Sequence, residues 1–374
     1  MSETGPDQTP SAANRRFGRR RYQTSVWILA AIGLVGGVIG GLIVALTGLG
    51  GSGSSSTALS TRTACVASAV ARDALPSIVT VHTVNGSERG NGSGEIIRTG
   101  GYILTNDHVI ARAANGGEIS VRYADGSTSG ATVVGRDPLT DLAVVKAGDD
   151  AAGRPVIAMG SSSDLRVGQP VVALGAPLGL YSTVTAGIVS ALDRYIPVPV
   201  TEGVTAHLVD AIQTDASINP GNSGGALVDC AGRLVGINSA IVTVPNSAGE
   251  TGGGSVGLGF AVPVDLAIPL ADQLIKAGHV NHPTFGVQAQ TVGPSAGGET
   301  GGPTGVLVTA IDPNGPAAKA GLRVGDVITS VDGQPALSVA VLEKATLTRR
   351  PGDSVQVEYS RGGNSATATI TLGS

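Results

Sequence analysis

QTDASINPGNSGGAL, residues 213–227, sets Ser223 between Gly221-Asn222 on one side and Gly224-Gly225 on the other. A serine that attacks a carbonyl must stand on a tight turn, with backbone N–H groups aimed at the oxyanion that develops. Glycines on both sides allow such a turn, because they take positive φ and let a substrate backbone come close. Asn, Gly and Ser are also ordinary turn residues, so the stretch acquires meaning from what accompanies it. On the catalytic reading Ser223 is the nucleophile. Gly221, Asn222 and Ser223 form the oxyanion loop, with the N–H groups of Gly221 and Ser223 as donors.

Two stretches upstream supply what a serine nucleophile lacks. ILTNDHVI, residues 103–110, places His108 just after a short apolar run that ends like a strand, and GRDPLTDLAVV, residues 135–145, places Asp141 at the entry to another. His, Asp, Ser is the chain order of the chymotrypsin architecture and differs from the subtilisin and α/β-hydrolase orders. In such a site His108 takes the Ser223 proton and later delivers it to the leaving amine, while Asp141 fixes the imidazole tautomer. A lone histidine is ordinarily structural, and His82, His207, His279 and His282 are read that way.

TNDHVI, DPLTDLAVV and GNSGGALV, in this order and ahead of a PDZ-like segment, resemble the HtrA family of trypsin-like serine proteases. The resemblance runs from about residue 71 to the C-terminus. From Ser77 onward, short apolar runs separated by Gly, Asn and Asp turns indicate an all-β barrel or sandwich. The resemblance narrows this to a mainly β chain: two six-stranded antiparallel barrels of chymotrypsin type over residues 65–279, then a PDZ domain over 283–374. It implies endoproteolysis of unfolded or damaged proteins in quality control and stress response, without a metal or other cofactor, by a homotrimer. Many members trimerise through aromatic residues ahead of the first barrel, yet residues 66–84 hold no Phe, Tyr or Trp, which leaves Phe260 for part of that contact. Two other functions share these residues: a chaperone or PDZ scaffold with a dormant protease, and a regulatory protease that cuts one partner.

Two positions near Ser223 bear on specificity and control. Trypsin-like enzymes that cut after Lys or Arg carry an aspartate six residues before the serine; this chain has Ser217 there, with Ile218 beside it. No fixed charge awaits a basic side chain, so the expected preference is for Val, Ala or Leu before the scissile bond. The residue before the nucleophile is Asn222, where zymogen-type relatives carry an aspartate that pairs with a newly cut N-terminus. An amide cannot form that ion pair, and ordering of loops is the substitute the resemblance implies. The candidate loops are 176–181, 194–208 and 240–256.

A helix is expected over 263–276, with Gly278 as its C-cap. Beyond Pro283, TFGV (284–287) and GPAAKAGLRVGDVI (315–328) look like the PDZ domains of this family. Ser338 is placed to cap a helix, with Leu337 and Leu342 spaced for a staple and Pro351-Gly352 to end it. Val355, Val357 and Tyr359 alternate, Arg361 to Asn364 turn, and Ala366, Ala368, Ile370 and Leu372 alternate again, which reads as a hairpin. PDZ domains add an extended C-terminal peptide to a sheet edge while backbone N–H groups hold its carboxylate. The resemblance puts those groups on Phe285, Gly286 and Val287 and makes C-terminal peptides the expected partners.

The rest of the sequence bounds class and location. Of 374 residues 57 are glycine, aromatics make up 3% and the formal charge is −4; this balance carries no nucleic-acid footprint. Lysine is scarce beside arginine, a compositional hint of a GC-rich bacterial genome. Residues 1–24 are polar and carry Arg15, Arg16, Arg19, Arg20 and Arg21. The uncharged stretch 26–46 would span about 30 Å as a helix, the thickness of a bilayer core. A single membrane helix is therefore expected over 25–47, with the arginine cluster cytoplasmic and the protease and PDZ domain outside. A cleaved signal peptide, the alternative, usually has a shorter apolar core and ends at a small-x-small site. GLGGSG at 48–53 fits a dinucleotide fingerprint only formally, since serines and no helix follow it, and 48–64 reads as a flexible tether. Outside the membrane Cys65 and Cys230 can form a disulfide; two buried thiols are the alternative. The sequons Asn85-Gly86-Ser87 and Asn91-Gly92-Ser93 both read as turns.

Overall fold

The computed structural model describes residues 65–176, 183–201, 204–241, 257–293 and 304–374. The basic segment, membrane helix and tether expected within 1–64 lie outside the described residues. Among the described residues no helix is long and apolar enough to cross a membrane.

β1 (Ile78–Asn85), β2 (Glu88–Arg98), β3 (Tyr102–Thr105), β4 (Glu118–Arg122), β5 (Thr128–Asp137) and β6 (Leu142–Ala147) close into a barrel in the order β1-β2-β3-β6-β5-β4. Val79, Val81, Ile96, Ile103, Val121 and Val145 fill its interior. Ile78, Ile97, Leu104 and Val144 point the other way and are equally buried, in a cluster shared with a second barrel. Strands covered on both faces need apolar side chains at successive positions, which is why YILT and LAVV read as runs and not as alternation.

The second barrel takes the order β10-β11-β12-β9-β8-β7. Its strands are β7 (Pro170–Gly175), β8 (Thr183–Thr201), β9 (Val204–Thr214), β10 (Ala226–Val228), β11 (Leu234–Ile241) and β12 (Gly259–Pro263). Val171, Ala173, Val189, Ile212, Leu227 and Val235 pack inside, while Val172, Leu174, Val228, Leu234 and Ile237 join the shared cluster. Helix α1 (Ala67–Ala74) adds Val70 and Ala74 to that cluster, the single turn α2 (Asp107–Ile110) follows β3, and α3 (Val264–Ala277) adds Ala267, Ala271 and Leu274. The expected glycine stop is present: Gly278 takes φ +77 and its N–H donates to the Leu274 carbonyl. Cys65, two residues before α1, is bonded to Cys230 with Cα atoms 5.0 Å apart.

The C-terminal sheet runs β13 (Val287–Val292), β14 (Gly305–Ile311), β15 (Val327–Val331), β17 (Ser354–Arg361), β18 (Asn364–Thr371), and the short β16 (Gln334–Pro335) pairs with β15. The expected hairpin is β17–β18, with Val355, Val357 and Tyr359 buried. Helices α4 (Pro316–Lys319) and α5 (Ala340–Thr348) complete the unit.

Four expectations need correction. Ser338 does not cap α5: the residue before the helix is Val339, without a side-chain cap bond, and Leu337 is 67% exposed, so no staple forms. Residues 194–208, expected as a loop, lie largely in the long β8–β9 hairpin, where Ile196 pairs with Leu208 and Val198 with Ala206. Asn91-Gly92-Ser93 is not a turn but the middle of β2, paired with β1. Phe260 is 5% exposed within β12, whose five residues are all buried; the inter-barrel core consumes it, and it offers no ring for a subunit contact.

Candidate active site

The turn between β5 and β6 delivers Asp141 with φ +56, a left-handed conformation that aspartate adopts more readily than most non-glycine residues. Its surroundings hold it there. Its carbonyl accepts from Asn106 Nδ2 at 2.8 Å and from the Asp107 N–H at 3.2 Å. Its carboxylate, fully buried, accepts from the His108 N–H at 3.0 Å and from Ser239 Oγ at 2.6 Å. Below, Asp107 makes a paired contact to Arg136 at 2.7 and 3.0 Å; burial pushes the Asp107 carboxyl up, with Arg136 opposing.

His108 Nδ1 lies 2.9 Å from both Asp141 carboxylate oxygens. A carboxylate only accepts, so Nδ1 carries the proton and the neutral ring presents a bare Nε2, the tautomer a general base needs. Burial pulls His108 down, but the hydrogen bond to Asp141 and the charges of Asp141 and Asp107 outweigh it, so its pKa lies above the ordinary histidine value.

Ser223 is held from both barrels. Its carbonyl accepts from the Ser93 N–H at 2.8 Å, and Ser93 Oγ donates to the Gly221 carbonyl at 2.7 Å while accepting from the Ala176 N–H at 2.8 Å. From the other side the Gly224 N–H donates to Asn238 O at 2.7 Å. Gly224 is required by space: a Cβ there would lie 2.3 Å from Ser93 O and Thr105 Oγ1. The Ser223 hydroxyl donates to Ser239 O at 3.2 Å, and among the described residues it makes no hydrogen bond to His108. Ser239 thus touches Ser223 through its carbonyl and Asp141 through its hydroxyl.

Gly221 has φ +98, and among the described residues the Gly221 and Ser223 amides donate to no acceptor, as oxyanion donors require. Asn222 is corrected: its N–H is spent on Asn219 O at 2.9 Å, so it supplies no donor. Its side chain is buried, with Nδ2 3.4 Å from Ser217 O. Ser217 is exposed, and its carbonyl also accepts from Thr185 Oγ1 at 2.9 Å. Ile218 is corrected as well: at 1% exposure it packs into the interior of the second barrel and offers no open pocket wall.

In the C-terminal unit the Gly286 N–H, one of the three expected carboxylate donors, donates to Thr284 Oγ1 at 3.0 Å, a bond that a ligand would have to displace. Phe285 is buried, its carbonyl accepting from the Ala317 N–H, and Val287 opens the end strand β13. Among the described residues no three His, Cys, Asp or Glu side chains gather as metal ligands.

Ser93, Asn238 and Ser239 escaped the sequence reading. The signal for the last two was present: Asn238-Ser239 is a polar pair inside the otherwise apolar strand LVGINSAI. Ser93 was hidden inside a sequon.

Residues 92–237 match the family model for a trypsin-like peptidase domain and residues 283–372 that for a PDZ domain. Fold and site together define a trypsin-like serine peptidase joined to a PDZ domain. Serine protease PepD of Mycobacterium tuberculosis is 42% identical over 311 residues, 81% of this chain and 65% of PepD. A probable periplasmic serine endoprotease DegP-like of Halomonas elongata is 42% identical over 287 residues, 76% of this chain and 56% of that protein. The chain therefore spans between 56% and 65% of the length of these two curated relatives. Among solved structures, the HtrA-type protease AlgW with a decapeptide matches with a TM-score of 0.63 at 34% identity, covering 82% of this chain and 98% of AlgW. The serine endoprotease from Yersinia pestis matches with a TM-score of 0.59 at 36% identity, covering 82% and 97%. The chain belongs to the HtrA family of trypsin-like serine proteases.

Proposed function

We propose that the chain is an HtrA-type serine endopeptidase acting outside the cytoplasm on unfolded or damaged proteins, held at the membrane by the helix expected over 25–47. The observation that carries this reading is the continuous contact from His108 through Asp141 and Ser239 to Ser223. In attack the Ser223 hydroxyl turns from Ser239 O to the bare Nε2 of His108, gives up its proton there and adds to the scissile carbonyl. The amides of Gly221 and Ser223 receive the oxyanion. Collapse breaks the C–N bond as His108 passes the proton to the leaving amine, and water repeats the sequence to free the acid. Ser217, without charge, supports cleavage after small apolar residues.

C-terminal peptides are proposed to add along β13, which ends its sheet and follows Phe285 and Gly286 directly; AlgW was solved with bound peptides. The word periplasmic in the relatives' names supports the location. The trimer implied by the resemblance remains part of the proposal, with a contact surface that excludes Phe260. One observation favours the second reading, a chaperone or PDZ scaffold with a dormant protease: the resting hydroxyl faces Ser239.

The test is cleavage of an unfolded model protein by the full chain in detergent, beside Ser223→Ala, with and without an apolar C-terminal peptide. Serine-dependent cleavage that rises with peptide is expected. No cleavage under either condition would favour the chaperone or scaffold reading.

A further inference from the structure

The connection leaving α3 is fixed against the first barrel at two points. Gly278 presses on β5 so closely that a Cβ on Gly135 would lie 2.7 Å from the Gly278 carbonyl oxygen. Four residues later, His282 Nε2 lies 2.9 Å from Asp137 Oδ2; the Asp137 side chain is buried at 5% exposure and that of His282 is partly buried at 13%. The same oxygen accepts from Thr140 Oγ1 at 2.5 Å. An ionised carboxylate offers only acceptors, so His282 donates from Nε2.

Asp137 and Thr140 are the first and fourth residues of the turn that ends on Asp141, the residue held at φ +56. Each part of this turn is anchored from a different place. Leu139 O accepts from the His207 N–H of β9 at 2.8 Å, Asp141 O from Asn106 and Asp107, and Asp137 from the connection through His282. Two residues beyond His282, Thr284 exchanges hydrogen bonds with Gly373 at the C-terminal edge of the second unit, its N–H donating at 2.9 Å and its carbonyl accepting at 3.0 Å. Phe285 and Gly286 come next. One short stretch of backbone thus joins the peptide-binding loop to the turn that aims the acid.

We propose that His282 is a positioning residue for the catalytic aspartate: through Asp137 and Thr140 it fixes the 137–141 turn, and it ties that turn to the start of the PDZ domain. The proposal rests on reading Asp141 as the acid that orients His108. The carboxylate at the end of this turn keeps its aim only while the turn's anchors hold, and an imidazole whose acid drifts loses both its preferred tautomer and the stabilisation of its charged form.

The test measures hydrolysis of a short chromogenic peptide by the full chain in detergent, with His282→Ala, His282→Gln and Ser223→Ala, each normalised to the folded fraction. Gln can place an Nε2–H where the imidazole has one. His282→Ala is expected to lower kcat about tenfold with KM changed less than twofold, and to move the acid limb of the kcat/KM profile to lower pH. His282→Gln should recover most of both. Unchanged kcat and pH limb in His282→Ala, or a Gln variant as impaired as the Ala one, would overturn the inference while leaving the triad standing. Full activity in Ser223→Ala would remove the triad and this inference with it.

Discussion

In the proposed mechanism His108 must be neutral to accept the Ser223 proton, and Asp141 and Asp107 hold its pKa above the ordinary histidine value. The sign follows: activity is lost as pH falls through that raised value, and Asp141→Asn should both shift the limb downward and cut kcat on the order of 10,000-fold, because the ring then favours the wrong tautomer. A pH profile of kcat/KM for parent and variant checks both. Ser239→Ala removes the 2.6 Å donor to Asp141 but keeps the carbonyl that faces Ser223; a loss of roughly ten- to a hundred-fold in kcat is expected for one hydrogen bond to a charged group. At this scale the sequence was most legible where chemistry restricts residue type. His108, Asp141 and Ser223 stood out because their spacing and chain order admit few other readings. Ser93, Asn238 and Ser239 did not, because a buried serine or asparagine in a strand becomes informative only once its partner from another strand is known.

Glu95 lies within β2 with no exposure, and among the described residues neither carboxylate oxygen has a hydrogen-bond partner. Burial raises its pKa well above the ordinary glutamate value. The folded chain therefore binds more protons than the unfolded chain between the two pKa values, so stability falls as pH rises through that window and the penalty is absent below it. Glu95→Gln removes the titration and should gain on the parent in thermal midpoint as pH is raised from about 4 towards neutral; a pH-independent difference would refute this account. On α3, Leu274 is fully buried in the shared cluster, and Leu274→Ala is expected to cost about 2–5 kcal/mol in denaturant unfolding. The element scale also shows why some local readings failed. Asn91-Gly92-Ser93 has the composition of a turn, but cross-strand pairing on β1 overrides propensity, and the glycine is kept because a Cβ on Gly92 would meet Val109 at 2.6 Å. The 194–208 stretch carries Pro197 and Pro199, which argue against a strand; the β8–β9 hairpin nevertheless pairs Pro197 with His207 and Pro199 with Thr205.

Among the described residues, long-range ties beyond the His282–Asp137 contact hold the parts in register with the site. The Cys65–Cys230 bond spans 165 residues of sequence, worth up to about 5 kcal/mol in the chain-entropy model. Cys230→Ser should lower the unfolding free energy by roughly 2–5 kcal/mol, and reduction of the parent should reproduce the loss in denaturant titrations. The second tie joins α5 to the β8–β9 hairpin: Glu343 meets the Tyr195 hydroxyl and lies 3.4 Å from His207 Nδ1, and Lys344 pairs with Asp210 at 2.5 Å. That contact was not legible in the sequence, since it depends on how a helix of one unit meets a hairpin of the other. What carries the functional account is narrower: that the described cluster makes Ser223 a nucleophile activated by His108. The most direct test is to treat the folded full chain with a fluorophosphonate and map the adduct by mass spectrometry, beside His108→Ala. A single adduct on Ser223, formed by the parent and lost in His108→Ala, is predicted; a folded parent that stays unlabelled at Ser223, or labels equally without His108, would contradict the account.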